Sequence, residues 1–182
     1  MKDPLAPYLE LLRAYGGVLD LSSPAVLEHP ERQLAAVKAY AEVLPEGARV
    51  VDLGSGGGWP GLPLALLRPD LELHLVERRK KRAAFLDLAR ARLGLKNVVV
   101  HPVDVAQLDL KTGYVTAQAV APFDELYKIV RPIARFPLTL VSHKGPGWPE
   151  EVKRLQEKVP VEVFHVKPLD AGELVALRVE AP

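Results

Sequence analysis

Residues 49–63 read Arg-Val-Val-Asp-Leu-Gly-Ser-Gly-Gly-Gly-Trp-Pro-Gly-Leu-Pro, and this stretch decides the fold. It begins with a short β-prone run that contains Asp52. Three glycines in alternate positions follow this run, at Gly54, Gly56 and Gly58. After Pro60 the sequence becomes apolar and helix-permissive as far as Leu67. A strand, a glycine turn and a helix in this order place a ligand beyond the carboxyl edge of a parallel sheet. The stretch therefore predicts a ligand-binding turn, and a tight turn without a ligand is the alternative.

The spacing of the glycines discriminates between ligand classes. A dinucleotide fingerprint requires G-x-G-x-x-G, and counting from Gly54 its last position is Trp59. A phosphate-binding P-loop requires Gly-Lys-Ser/Thr at the start of the helix, where this chain has Trp-Pro-Gly. The next apolar run ends in Glu77, whose carboxylate can accept hydrogen bonds from both hydroxyls of a ribose. A ribose acceptor without a phosphate cradle indicates a nucleoside ligand, which we interpret as S-adenosylmethionine.

Length, composition and net charge limit the number of domains and the kinds of ligand and partner that we expect. The chain has 182 residues, no cysteine, five histidines and a net charge of +1. The length predicts one domain, with an N-terminal helical cap over 1–46 and a Rossmann-like core over 47–182. Without cysteine or paired histidines no metal is expected, and without a long apolar run we expect a cytoplasmic protein that has no membrane contact. The small net charge predicts that any contact with RNA comes from a local patch.

Hydrophobic periodicity predicts the remaining elements. A helical stripe over 4–15 ends at Gly16-Gly17, residues 18–30 form a loop, and a second helix covers 31–43. The predicted strands cover 49–53, 71–77, 97–100, 113–121, 137–142, 161–166 and 174–179, and the intervening helices cover 62–67, 78–93, 123–134 and 149–158. The last two strands form a hairpin. The alternation indicates an α/β fold, a doubly wound and mostly parallel seven-stranded sheet with an antiparallel edge.

Two further features leave a structural and a functional interpretation open. Residues 78–82 read Arg-Arg-Lys-Lys-Arg at the start of a helix, where cations oppose the helix dipole. This run is either a solvated basic end or an anion-binding surface. Asp104 follows the third strand, where its carboxylate either accepts from the exocyclic amine of a nucleoside base or caps a loop.

The glycine stretch also resembles a known family. Its form D-x-G-[ST]-G-x-G-x-P-G over 52–61 is similar to the cofactor loop of the RsmG (GidB) family, which makes 7-methylguanosine in small-subunit ribosomal RNA with S-adenosylmethionine. Glu77, the pair Lys81-Arg82 with Phe85-Leu86, and Lys144-Gly145 resemble further family segments. The resemblance runs from about residue 10 to the C-terminus and implies the class I S-adenosylmethionine-dependent methyltransferase fold.

The residue patterns and the resemblance together give the expected site residues. The implied cofactor-binding residues are Asp52, Gly54, Ser55, Gly56, Gly58, Glu77, Arg78, Asp104 and Val105. Gln118 and Lys144 are the implied catalytic residues facing the acceptor, and Lys80, Lys81 and Arg82 the implied contacts to RNA phosphates. The expected partner is ribosomal RNA or the small ribosomal subunit.

The chain departs from the family pattern in its substrate half. A His-x-x-Asp-Ser segment is not kept near 28–36, and an Arg-x-Glu is replaced by Asp-Val-Ala at 104–106. The family's Ser-Arg-Ala is Ala-Gln-Ala at 117–119, so that Gln118 stands where the family has an arginine. These departures keep an alternative open, a degenerate relative that binds S-adenosylmethionine but has lost or changed its acceptor.

Overall fold

In the part of the chain that the structure describes, strands and helices alternate as predicted. The structure is a computed structural model that describes residues 2–19 and 27–182. The strands are β1 (Arg49–Leu53), β2 (Glu72–Val76), β3 (Val98–His101), β4 (Thr112–Gln118), β5 (Ala134–Lys144), β6 (Val161–Pro168) and β7 (Glu173–Val179). The helices are α1 (Ala6–Leu19), α2 (Pro30–Glu42), α3 (Gly61–Leu67), α4 (Lys80–Arg92), α5 (Phe123–Val130) and α6 (Trp148–Gln156), with 3-10 turns at Val105–Gln107 and Arg131–Ile133.

The strands form one sheet in the order β3-β2-β1-β4-β5-β7-β6. Strands β1 to β5 are parallel, and β7 pairs antiparallel with both β5 and β6. This confirms the predicted mixed sheet and its antiparallel end. Chain order reverses at β1, which lies between β2 and β4, and ligands bind at the carboxyl ends of strands at such a switch point. Leu53 at the end of β1 is in register with Val76 and Ala117, so these three strand ends are adjacent.

Helices cover both faces of the sheet. On one face, buried side chains of α1 to α4, such as Leu9, Val37 and Phe85, pack in one cluster with strand residues that include Leu73. On the other face α5 and α6 pack in a second cluster through residues such as Leu126. Because both faces are covered, β1 and β2 are buried at every position after their first residue.

The N-terminal helix is longer than the sequence predicts. It continues through Gly16 and Gly17 to Leu19, so the expected end at the two glycines is wrong. A glycine costs a helix only about 1 kcal/mol relative to alanine, and packing offsets that cost. Tyr15 and Leu19, on either side of the glycines, both contact the core. The predicted loop over 18–30 falls largely on residues 20–26, which lie outside the described residues.

The boundary between α5 and β5 also differs from the prediction. The helix predicted over 123–134 ends at Val130 and continues as the 3-10 turn, because Pro132 lacks the amide that a further α-helical turn requires. The strand predicted over 137–142 begins earlier, at Ala134, and crosses Pro137 through an irregularity in its pairing with β4. Proline is tolerated there because a bulge removes the need for a ladder hydrogen bond.

Candidate cofactor and acceptor site

The buried carboxylate of Asp52 accepts hydrogen bonds from the glycine loop and from β4. Its Oδ2 accepts hydrogen bonds from Ser55 Oγ at 2.7 Å and from Gly61 N at 3.2 Å, and its Oδ1 accepts from Thr116 Oγ1 at 2.7 Å. Burial raises the pKa of Asp52 to about 7, against the opposing effect of these three donors. Asp52 is fully buried and Ser55 is 2% exposed. Both side chains therefore lie beneath the loop and shape it.

The loop itself has a backbone that favours glycine. Gly54, Gly56 and Gly58 have φ angles of +65°, +52° and +92°, a region that side chains with a β-carbon rarely adopt. A β-carbon at Gly58 would also lie 2.3 Å from the side chain of Leu62. Gly54 is exposed and Gly56 half-buried, while Gly58 is buried. Gly54 and Gly56 therefore have the more accessible backbone, and Gly58 packs within the loop.

Two buried tyrosines from the N-terminal helices fix this end of the sheet. Tyr8 of α1 donates a 2.8 Å hydrogen bond to Gly57 O in the glycine loop. Tyr40 of α2 donates to Ala117 O at 3.2 Å and accepts from His143 N at 3.0 Å, which ties the ends of β4 and β5 together. Burial raises the pKa of both hydroxyl groups well above the usual range. The sequence predicts packing alone for both helices: Tyr8 belongs to the apolar stripe of the first helix, and no pattern distinguishes Tyr40 in the second.

Glu77 lies against the glycine loop, as its position after β2 predicts. Its Oε2 accepts from Gly56 N and its Oε1 from Arg79 N, both at 3.0 Å. The side chain is 6% exposed, whereas Arg78 beside it is exposed. Each carboxylate oxygen has two lone pairs, so each keeps one acceptor position for a ligand.

Asp104 caps the short turn that follows β3. Its Oδ1 accepts from Ala106 N at 2.9 Å, at the start of the 3-10 turn Val105–Gln107. This is the loop-capping alternative of the sequence analysis. Val105 points its buried side chain into the core, so only its backbone remains available to a ligand.

A cavity of about 510 Å³ lies next to the glycine loop. Its wall includes Arg32 of α2, Trp59 of the loop, Gln118 and His143 at the ends of β4 and β5, and Asp170 between β6 and β7. Trp59 Nε1 donates a hydrogen bond to Gln118 Oε1. The volume lies within the range of small-molecule sites. We call this space, beside the glycine loop, the acceptor cavity, and Gln118 is part of its wall.

Lys144, which we expected to face the acceptor, is held by contacts within the protein. Its Nζ lies 2.8 Å from Glu151 Oε2, donates to Ala121 O at 2.9 Å, and lies 4.4 Å from the ring centroid of Phe123. The lysine side chain is 10% exposed, although it lines a second cavity of about 550 Å³ that also includes Gln118. Its charge is therefore paired within the protein, where it holds the segment after β4 against α6.

The basic run is a largely exposed surface at the start of α4. Arg79, Lys80 and Lys81 are exposed and Arg82 is half-buried. The first turn of α4 has no acidic residue to balance these cations against the helix dipole. They border a shallow cavity of about 380 Å³ together with Val18 of α1, whose side chain is 86% exposed. The run is thus accessible to an anionic partner.

Residues 2–19 and 27–182 contain neither a metal site nor a membrane span. No three histidine, cysteine or acidic side chains within these ranges are grouped as a metal ion requires. None of the helices in these ranges combines the length and the apolar character needed to cross a membrane.

Known proteins resemble this chain along most of its length. Residues 1–174 match the model of the GidB family, described as rRNA small subunit methyltransferase G. The chain belongs to this family. The ribosomal RNA small subunit methyltransferase G of Cupriavidus necator is 35% identical over 171 residues, covering 85% of this chain and 72% of the relative. That of Acidothermus cellulolyticus is 37% identical over 179 residues, covering 94% and 80%.

Solved structures share the fold at low identity. The ribosomal protein L11 methylase of Lactobacillus delbrueckii subsp. bulgaricus gives a TM-score of 0.66 at 11% identity, covering 85% of this chain and 80% of that chain. A mutant of MtNAS in complex with S-adenosylmethionine gives 0.66 at 17% identity, covering 98% and 73%. These similarities confirm the Rossmann-like fold of class I S-adenosylmethionine-dependent methyltransferases.

Family membership confirms the predicted function class. This GidB family member is an S-adenosylmethionine-dependent methyltransferase of the ribosomal RNA class, and S-adenosylmethionine is its cofactor. Neither the family match nor the relatives support the alternative of a degenerate protein that has lost its acceptor.

Proposed function

We propose that this protein transfers the sulfonium methyl group of S-adenosylmethionine to N7 of a guanine in small-subunit ribosomal RNA. One observation carries the proposal. Trp59 belongs to the glycine loop and also lines the acceptor cavity, where it is hydrogen-bonded to Gln118. The loop assigned to the methyl donor and the cavity assigned to the acceptor therefore share a wall, as a direct transfer between two bound molecules requires.

The side chains around the glycine loop suit S-adenosylmethionine. Glu77 provides a carboxylate with free acceptor positions, and the hydroxyl of Ser55 is turned inward to Asp52, so it is not presented to a phosphate. We assign Gly54, Gly56 and Gly58 to the methionine part. Glu77 and Arg78 are assigned to the ribose, and the adenine is assigned to the exposed carboxylate of Asp104 or to the backbone of Val105.

Methyl transfer to N7 requires little acid–base catalysis from the protein. S-adenosylmethionine supplies an electrophilic methyl carbon bonded to a positively charged sulfur. Guanine N7 has an in-plane lone pair and no proton, so a C–N bond forms as the C–S bond breaks and no proton moves. The protein must therefore align the two reactants in a site from which water is excluded. Tyr40 and Lys144 contribute as positioning residues, since they fix the strand end and the segment that flank Gln118.

We assign the contact with RNA phosphates to the basic run. Lys80, Lys81 and Arg82 lie at the start of α4, where a sequence selected only for stability would carry acids. Phosphates bound there would neutralise charges that otherwise oppose the helix dipole. A ribosomal RNA acceptor places the protein in the cytoplasm.

The proposal is tested by methyl transfer in vitro. Purified protein is incubated with S-adenosylmethionine labelled in its methyl group and with either small ribosomal subunits or naked small-subunit RNA that lack the modification. Nucleosides from the digested RNA are then separated. We expect label in 7-methylguanosine, whereas label in another nucleoside, or in none, would reject the N7 assignment.

A further inference from the structure

The contact between Trp59 and Gln118 fixes the orientation of an amide. An indole nitrogen can only donate a hydrogen bond, so the atom of Gln118 that faces it must be the amide oxygen. The Nε2 group of Gln118, with two N–H donors, consequently points away from the indole. Among the described residues no side chain or carbonyl accepts from it, and Gln118 lines the acceptor cavity. Gln118 therefore brings two donors, oriented by its bond to Trp59, to the wall of this cavity.

A carboxylate lines the same cavity. Asp170 is paired with Arg32 at 3.0 Å, and 69% of its side chain is exposed, so it retains acceptor capacity. The cavity thus has an amide donor from the end of β4 and an acceptor from the segment between β6 and β7. Guanine has the complementary pattern, with O6 as an acceptor on one edge and N1–H and N2–H as donors on another.

We infer that Gln118 determines the specificity for the acceptor base by donating from Nε2 to guanine O6, and that Trp59 is the positioning residue that keeps the amide in this orientation. This inference rests on the proposed function. Adenine has an amine in place of O6, so two donors would face one another and both would lose their hydrogen bonds to water. An amide anchored through its oxygen has a single nitrogen to donate, and a bond to O6 leaves the lone pair of N7 uncovered.

The test measures binding without methyl transfer. Guanosine, adenosine and 2-aminopurine riboside 5′-monophosphates are titrated into the protein by NMR in the presence of S-adenosylhomocysteine. 2-Aminopurine keeps N7 and the 2-amino group of guanine but lacks O6 and the proton on N1, and the Gln118 variants below identify the contact to O6. We expect the guanosine nucleotide to bind about tenfold more tightly than either of the others, which is one discriminating hydrogen bond of about 1.4 kcal/mol.

Four variants identify the group responsible. Gln118→Glu keeps an oxygen for Trp59 but replaces the donors with an acceptor, and Gln118→Met removes the donors without adding charge. Both variants should lose the preference for the guanosine nucleotide. Gln118→Glu should in addition prefer the adenosine nucleotide. Trp59→Phe should reduce the preference toward unity because the amide is free to rotate. Gln156→Glu makes the same chemical change on the exposed end of α6, where Nε2 contacts Val161 O. It should leave the preference for the guanosine nucleotide unchanged.

The outcomes separate this inference from the proposed function. An unchanged preference in both Gln118 variants, or a parent protein that binds the three nucleotides equally, would overturn the assignment. A parent that prefers guanine through Gln118 but transfers no methyl group to RNA would support the inference and reject the function. Transfer to guanine that is equally fast and equally selective in the folded Gln118→Met variant would reject the inference and leave the function intact. Circular dichroism melting checks that each variant is folded.

Discussion

The carboxylate of Asp52 accepts a 2.7 Å hydrogen bond from the hydroxyl of Thr116, and both side chains are fully buried between β1 and β4. The same carboxylate accepts from Ser55 and Gly61 near the two ends of the glycine loop. Burial nevertheless raises the pKa of Asp52 to about 7. The loop assigned to the cofactor is thus hydrogen-bonded to a carboxyl group that changes its charge near neutral pH.

This pKa predicts how stability depends on pH. Between about pH 4, near the pKa of Asp in an unfolded chain, and pH 7 the folded protein keeps a proton that the unfolded chain has lost. The free energy of unfolding should therefore fall as pH rises, with as much as ~4 kcal/mol from Asp52. Asp52→Asn should flatten this slope in denaturant unfolding, whereas Asp109→Asn on the surface should not. Equal slopes in the parent and in Asp52→Asn would contradict the assignment.

Tyr40→Phe should destabilise the protein. The substitution leaves the buried Ala117 O and His143 N without their hydroxyl partner, at a cost of about 1–3 kcal/mol in the free energy of unfolding. Tyr127→Phe is the matched control, because the hydroxyl of Tyr127 is buried without a partner among the described residues and its removal should cost nothing. Thermal and denaturant unfolding measure both. A similar loss in the two variants would show that Tyr40 acts only by packing.

Local patterns predicted the core of the site because the relevant residues are close in sequence. The glycine loop follows its strand directly, and Glu77 is 21 residues from Gly56, which it contacts. Tyr8 and Tyr40 were missed because their partners are 49 and 103 residues away, and an apolar stripe does not distinguish a tyrosine that packs from one that also bonds. The partners of Lys144 depend on the path of the chain after β4, which no periodicity encodes.

Glu77→Gln should weaken cofactor binding. The amide has one acceptor oxygen in place of two and no charge, so the ribose hydroxyls lose a charged acceptor worth about 2 kcal/mol, or roughly thirtyfold in Kd. Calorimetry with S-adenosylhomocysteine measures the change, and NAD should give no binding to the parent. Glu72→Gln, at the opposite end of β2, is the control and should retain the parent affinity. An unchanged affinity in Glu77→Gln would remove Glu77 from the cofactor site.

The double variant Lys80→Gln/Lys81→Gln should weaken RNA binding and reduce its salt dependence. Loss of two phosphate contacts lowers the slope of log K against log salt concentration by about 1.4 for single-stranded RNA. The melting temperature should not fall, because the removed charges oppose the dipole of α4. The control is Lys128→Gln/Lys158→Gln, which removes two exposed lysines elsewhere, one of them on α5 across the sheet. A lower melting temperature with unchanged RNA affinity would make the run structural.

The most direct test of the central claim is the nucleoside composition of ribosomal RNA in the cells that encode this protein. Small-subunit RNA is isolated from cells with the gene, without it, and with the gene restored as the parent or as Glu77→Gln, and its nucleosides are quantified by mass spectrometry. We predict that one 7-methylguanosine per small subunit disappears with the gene, returns with the parent, and returns only weakly with the variant. A 7-methylguanosine content that is the same in all four strains would contradict the account.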